Sequence, residues 1–315
     1  MKKYFKPILC WLIIFAMAFG MLPGGFTATA AENEPSTGEI VILYTNDVHC
    51  GVDQIIKDGK ITNIGYAGVS AYKKEMEEQY GEDNVTLIDA GDAVQGEAIG
   101  TMSKGSYLVD IMNQIGYDIF VPGNHEFDYG MDRMKELMSI MQTTPGAIKV
   151  VSGNFIDLKT KKTVYDPYTI KTYGEGEDEI KVAYVGITTP ESFTKSTPAY
   201  FQDEDGNYIY GFKEGNDGQD LYDTVQDAVD NAKSEGAEYV IAVGHLGIDS
   251  QSAPWRSTDV IANTTGIDAF IDGHSHSTVE SNTVKNENNE DVILTQTGTK
   301  LANIGRMVID TEKNY

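Results

Sequence analysis

Histidine is scarce in this 315-residue sequence, and all five copies occupy the same kind of place. His49, His125, His245, His274 and His276 each follow within a few residues of a short β-rich run. The runs are Ile40–Thr45, Asp118–Pro122, Tyr239–Val243 and Ala269–Asp272. Core histidines scattered for packing would not keep to strand ends. In open α/β sheets the carboxyl ends of strands are where ligands gather. The chain must therefore adopt a fold that brings several strand ends together.

The patterns between these runs say what kind of sheet that is. Helical apolar spacing occurs at Ile64–Gln79, Tyr107–Ile115, Met131–Met141 and Leu221–Ser234, alternating with further strand-like runs at Val85–Ala90 and Ile148–Ser152. Alternation of this kind predicts a mainly parallel sheet covered by helices on both faces. Val164–Ile170 and Ile180–Gly186 flank an acidic, Gly-rich stretch and read as an antiparallel pair. The hairpin-like tail, Ala269–Asp272, Val292–Thr297 and Arg306–Asp310, suggests a second, more antiparallel sheet. The acidic segment Asp203–Glu214 resembles a calcium loop only superficially, because Tyr208 stands where the sharp turn needs glycine. It reads as a solvated loop.

The ends and the charge narrow the setting. Lys2, Lys3 and Lys6 precede an apolar run from Ile8 to Phe19, and Ala28-Thr29-Ala30 offers small residues for cleavage. This is the pattern of a signal peptide over residues 1–31, with a short leader at 32–38 and no membrane insertion once the signal is removed. Basic residues number 24 against 48 acidic ones, for a net charge of −24. So acidic a surface excludes DNA and RNA as partners and suits an exported protein, extracellular, on the cell surface or periplasmic. Of two cysteines, Cys10 lies in the signal, so Cys50 has no partner and an ordinary core must hold the mature domain.

The histidines stand among other metal-ligating residues. Asp47 and His49 sit two apart, which on an extended chain points both to one side and leaves Cys50 facing away, a small buried residue. In Asp89-Ala90-Gly91-Asp92, Gly91 permits a turn that carries Asp92 past the strand end, where its two oxygens can bridge two cations. Asp89 reads as a structural hydrogen-bonding residue. In Gly123-Asn124-His125-Glu126-Phe127-Asp128, an amide oxygen can ligate while Asp128 orients the neighbouring His125. Glu126 reads as a solvated or helix-capping acid. Gly244-His245 and Gly273-His274-Ser275-His276 complete the set. Asp, Asn and His donors suit Zn, Mn, Fe or Co rather than Ca or a thiolate-selected ion.

At these residues the chain resembles the calcineurin-like metallophosphoesterases, within them the exported 5′-nucleotidase branch. Gly-Asn-His-Glu-Phe-Asp at 123–128 carries most of the likeness, and Met112–Asp118 is also typical of the branch. The resemblance implies a four-layer α/β/β/α sandwich of two mixed sheets, with the catalytic domain over residues 39–312. It implies two divalent ions, one held by Asp47, His49, Asp92 and His276 and the other by Asp92, Asn124, His245 and His274. His125 and Asp128 would be the catalytic dyad, and the reaction would be hydrolysis of a small phosphorylated substrate, a nucleotide, by a metal-bridged hydroxide. A 2′,3′-cyclic nucleotide phosphodiesterase or a sugar-nucleotide hydrolase of the same fold is an alternative. A non-catalytic surface metal-binding module is another, although binding alone needs neither His125 nor Asp128. Relatives of this branch usually carry a C-terminal nucleotide-binding domain, which is absent from these 315 residues.

If the leader is a cleaved signal, protein exported from its native host should begin near Ala31 or Glu32. N-terminal sequencing checks this, and a start at Met1 in a membrane fraction would contradict it.

Overall fold

The computed structural model describes residues 38–144 and 146–311, together with the backbone of residues 8–13; the side chain of residue 177 is not described. Two six-stranded mixed sheets organise the chain. In the first, Glu39–Thr45, Val85–Asp89, Ile119–Phe120 and Lys149–Val150 run parallel. Ile304–Asp310 lies antiparallel against Glu39–Thr45 on the other side, and Ile8–Ile13 pairs antiparallel with it. In the second sheet, Ile180–Thr188, Tyr239–His245, Ala269–Ile271 and Asp291–Thr297 are parallel. Antiparallel strands Tyr168–Tyr173 and Thr278–Lys285 close its two edges.

Period-two alternation explains how the sheets stack. Ile40, Ile42 and Tyr44 point one way and pack with Val182, Tyr184, Tyr239, Ile241 and Val243 of the second sheet. Val41 and Leu43 point the other way, into a core shared with the helices Gly65–Tyr80, Ser106–Ile115 and Met131–Thr143. On the far side, Ala183, Val185, Val240 and Ala242 pack under the helix Gln219–Ser234. That helix buries Leu221, Tyr222, Val225, Ala228, Val229 and Ala232, the three-to-four spacing of one face. A strand with apolar residues on both faces needs cover on both. The result is the α/β/β/α layering the resemblance implied.

Buried hydroxyls stitch the two sheets together. Tyr44 Oη and Thr295 Oγ1 lie 2.7 Å apart across the interface. Tyr173 Oη sits 2.5 Å from both Thr86 Oγ1 and Tyr184 Oη. Each of these interface hydroxyls thus has a partner, which offsets the cost of taking it out of water.

Several elements differ from the sequence reading. Arg306–Asp310, expected in the second sheet, lies within Ile304–Asp310 against Glu39–Thr45 of the first, and Asp291–Thr297 runs parallel, so the second sheet is no more antiparallel than the first. The short strands Phe155–Asp157, Lys162–Thr163 and Tyr210–Phe212 form a small sheet of their own that the sequence does not announce. The predicted strand at Val164–Ile170 lies at Tyr168–Tyr173, still antiparallel to Ile180–Thr188. Thr278–Lys285 is a strand that the sequence does not announce, because most of its residues are exposed on an edge and carry no apolar period. The small hairpin Ile55–Lys57 and Lys60–Asn63 is unannounced for the same reason. The predicted signal and leader fall outside the described residues, apart from Gly38 and the 8–13 backbone. Among the described residues no helix is long and apolar enough to cross a membrane.

Ile241 is fully buried between the sheets, whereas Ile55 is 47% exposed. Ile241→Ala should cost about 2–5 kcal/mol in a urea melt, and Ile55→Ala about 0.5 kcal/mol or less.

Candidate metal centre

Loops leaving the carboxyl ends of both sheets meet at one place. Backbone hydrogen bonds hold them there: Asp47 N donates to Gly91 O at 2.9 Å and His49 N to Asp92 O at 2.8 Å. His274 N donates to both oxygens of Asp47, at 3.0 and 3.1 Å, tying the second sheet to the first. The strand Glu39–Thr45 has already ended here, and Asp47, His49, Cys50, Asp92, His274 and His276 all have left-handed φ between 45° and 76°. This corrects the extended-chain expectation. Asp47 and His49 converge through consecutive tight turns, not through strand alternation, and the same holds for His274 and His276. Cys50 is buried as expected, but by its turn, and burial pushes its thiol up to about 12. Left-handed backbone outside glycine is strained and persists where surrounding bonds over-determine it.

Two glycines are required by closeness. A Cβ on Gly123 would stand against Asp92 Oδ1 and 2.8 Å from His245 Nε2. Gly91, at φ +93°, would set one 2.6 Å from the Gly123 nitrogen.

Three groups of side chains bring their ligand atoms within 4.8 Å of one another: Asp47, His49 and His276; His49, Asp92 and His125; and Asp92, His245 and His274. Asp92 is common to two of them. Asn124 Oδ1 is buried beside this centre without a hydrogen-bond partner among the described residues. A buried amide oxygen left bare is costly unless a cation or water takes it, so the donor set fits divalent ions. The imidazole tautomers fit as well. His245 Nδ1 is 2.7 Å from Ala90 O and His49 Nδ1 is 3.0 Å from Gln95 O. Carbonyls only accept, so each ring donates from Nδ1 and keeps its Nε2 lone pair for a ligand. His245 Nε2 lies 3.0 Å from Asp92 Oδ2 without alignment for a hydrogen bond.

The charges support this arrangement. Burial opposes ionisation of Asp92, but His245, His125 and His49 outweigh it and hold the carboxyl far below its usual range. Burial likewise disfavours a charge on His245, yet Asp92 and Asp47 push it up to about 10. The metal-free chain thus stores a proton where a cation would bind. His276 is the most exposed of the set, its side chain 47% accessible, with Nε2 3.4 Å from Asp47 Oδ1 and 3.0 Å from His49 Nε2.

His125 stands beside the cluster, its ring centroid 5.2 Å from that of His49. Its Nδ1 is 2.6 Å from Asp128 Oδ2, and its backbone N–H donates to Asp92 Oδ1 at 2.8 Å. Burial lowers the affinity of this ring for a proton, but the Asp128 bond and the Asp92 charge prevail and raise it above the ordinary histidine value.

Two acids below the centre had different fates. Asp89 is the structural residue expected, accepting from Thr45 Oγ1 at 2.6 Å and Gly91 N at 2.9 Å. Glu126 is neither solvated nor a cap. It is fully buried and accepts from the backbone N–H groups of Asp92, Ala93, Val94 and Gly123 at 2.7–3.2 Å. Burial and the neighbouring Asp92 charge push it up to about 7. Three of its four partners come from another strand end, so nothing local in the sequence signalled this. Asp272 was also missed; it accepts from Leu246 N at 2.9 Å and Gln296 Nε2 at 2.9 Å. So was Glu191, which meets His274 and whose carboxyl that histidine holds down at about 2.

The sequence profile of the calcineurin-like phosphoesterases matches residues 40–278. The chain belongs to that family. It is 28% identical over 274 residues to the trifunctional nucleotide phosphoesterase protein YfkN of Bacillus subtilis, which spans 78% of this chain and 17% of that protein. It is 30% identical over 249 residues to a 5′-nucleotidase of Bos taurus, spanning 76% of this chain and 38% of that one. The chain therefore covers well under half the length of these curated relatives. Among solved structures, a 5′-nucleotidase precursor from Thermus thermophilus superposes with a TM-score of 0.67 at 21% identity, covering 86% of this chain and 51% of that one. A structure of YfkN gives 0.63 at 23% identity, covering 88% and 92%. At such identities the likeness shows the fold.

Glu126 yields a pH test in chelator-treated protein. Folded chains keep its proton up to about 7, while unfolded chains release it near 4.5. The folded state then binds more protons across that window, so stability from this group falls as pH rises through it. Urea melts from pH 4.5 to 7 should show a steeper decline for wild type than for Glu126→Gln.

Proposed function

We propose that this chain hydrolyses phosphoric esters of nucleotides as a dimetal phosphoesterase of the 5′-nucleotidase type. One observation carries the reading most: Asp92 is shared by two ligand groups, with the bare Asn124 Oδ1 at the same centre. Asp47, His49, Asp92 and His276 would hold one ion. Asp92, Asn124, His245 and His274 would hold the other, so that Asp92 would be common to both. Divalent ions so held supply Lewis-acid polarisation of a phosphoryl oxygen and a water acidic enough to react near neutral pH. Zn, Mn, Fe or Co suits the donors.

The remaining chemistry belongs to His125 and Asp128. The Asp128 carboxylate fixes the Nδ1–H tautomer, leaving His125 Nε2 as the nitrogen that can face substrate. With its affinity for a proton raised by Asp128 in the metal-free chain, it would, when protonated, stabilise the transferring phosphoryl oxygens and protonate the leaving alkoxide. His125 also lies within ligating reach of His49 and Asp92; the catalytic role is assigned to it because the two ligand sets proposed above are complete without it. A second reading is hydrolysis of 2′,3′-cyclic nucleotides, favoured by 26% identity over 273 residues to a Salmonella typhimurium protein named 2′,3′-cyclic-nucleotide 2′-phosphodiesterase/3′-nucleotidase. An exported enzyme, released from the signal predicted at 1–31, fits the acidic composition.

Elemental analysis should find two ions per loaded chain, and Asp92→Ala should lose both. His125→Ala should keep both yet fall about 10²–10⁴-fold in kcat; metal loss from His125→Ala would make it a ligand instead. Asp128→Asn removes the charge that raises the His125 value, so the alkaline limb of the kcat profile should move to lower pH. Nucleoside 5′-monophosphates assayed against 2′,3′-cyclic nucleotides decide between the two readings.

A further inference from the structure

The two proposed ion sites are unequal in charge. Asp47 and Asp92 both serve the first, whereas the second has only the shared Asp92 carboxylate with three neutral donors, Asn124, His245 and His274. His245 and His49 rest against backbone carbonyls. His274 does not: its Nε2 is 2.8 Å from Glu191 Oε2, and this carboxylate oxygen also accepts from Ser252 Oγ at 2.6 Å. Both side chains are nearly buried, 9% exposed for His274 and 11% for Glu191.

The position of Glu191 is set by its own turn. It follows the strand Ile180–Thr188 and opens the short helix Ser192–Lys195, but its side chain makes no capping bond there. Its backbone N–H is taken by Thr189 Oγ1 at 3.2 Å, and Ser192 Oγ turns back to Thr189 O at 2.7 Å. The carboxylate is thus free to reach across to the loop after Ala269–Ile271, while Ser252 approaches from the segment after Tyr239–His245. Three segments of the second sheet meet on one oxygen.

We propose that Glu191 is the positioning residue of the second ion site: it holds His274 as the Nε2–H tautomer, presents Nδ1 to the ion, and supplies through the ring the negative charge that this site lacks. An anionic acceptor behind an imidazole fixes its orientation and raises its basicity more than a carbonyl does. Removing such a partner commonly costs about 10–100-fold in metal affinity. The effect should fall on one ion, because Asp47, His49 and His276 make no contact with Glu191 in the hydrogen bonds described. This inference rests on the dimetal reading above.

The test uses Co(II) on the chelator-stripped 315-residue chain. Glu191→Gln keeps the size and an oxygen for Nε2–H but not the charge; Ser252→Ala removes only the second bond to the same oxygen. Wild type should bind two Co(II), and Glu191→Gln should bind one with unchanged affinity and the other about 10–100-fold more weakly. Ser252→Ala should shift the same ion by less. Nitrogen-15 NMR of the metal-free wild type should show His274 as Nε2–H, and Glu191→Ala should lose that preference. Two ions of unchanged affinity in Glu191→Gln, or equal weakening of both, would overturn the inference while leaving the dimetal reading intact. A wild type that binds fewer than two Co(II) would overturn the dimetal reading, and this inference with it.

Discussion

Asp92 is the residue on which the loops at this end of the molecule converge. Its backbone N–H bonds Glu126 and its carbonyl accepts from His49, while Oδ1 accepts from the His125 backbone and Oδ2 faces His245. A buried carboxylate is expensive unless charge or hydrogen bonds compensate it. Here the compensation comes from segments far apart in the chain, so the anion pulls three loops into one geometry. In the metal-free chain His245 carries the opposing charge. A cation bound among these ligands would take over that role.

That geometry rests on a rigid base. The parallel strands put their carboxyl ends on one side, and the interface of Ile40, Ile42 and Tyr44 with Tyr184, Ile241 and Val243 fixes the sheets face to face. Close-packed interiors transmit strain rather than absorbing it. The run of left-handed residues at 47, 49, 92, 274 and 276 can therefore be maintained. Glu126 adds to this from below, since its four N–H donors lock the Asp92 and Gly123 turns against each other.

The rings around the centre differ in what stands behind them, and that gives them different chemistry. His49 and His245 rest on carbonyls, His274 on Glu191, and His125 on Asp128. His49 and His245 thus face the cluster with carbonyls behind them, whereas His274 and His125 each have a carboxylate behind the ring, on opposite nitrogens. One residue type can serve ligation or proton handling, depending on which nitrogen is left free and what it faces.

Much of the architecture was legible in the chain itself. Apolar runs of two-residue and three-to-four-residue period alternate, and that dictates strands buried on both faces under amphipathic helices. Asp47, His49, Asp92, Asn124, His125, His245, His274 and His276 were marked by residue type and by their place after strands. Thr278–Lys285 was not legible, because an exposed edge strand has no buried face to leave a pattern. Nor was the role of Glu126, Asp272 or Glu191, each an ordinary acid most of whose partners lie on other segments. Even the convergence of Asp47 with His49 was read for the wrong local reason. Sequence records which groups a segment can offer, since that depends on side-chain chemistry and near-neighbour periodicity. Asp128 behind His125 is within local reach, but that Glu126 meets the Asp92 turn and Glu191 stands behind His274 is decided by packing between segments distant in the chain, where no local pattern reaches.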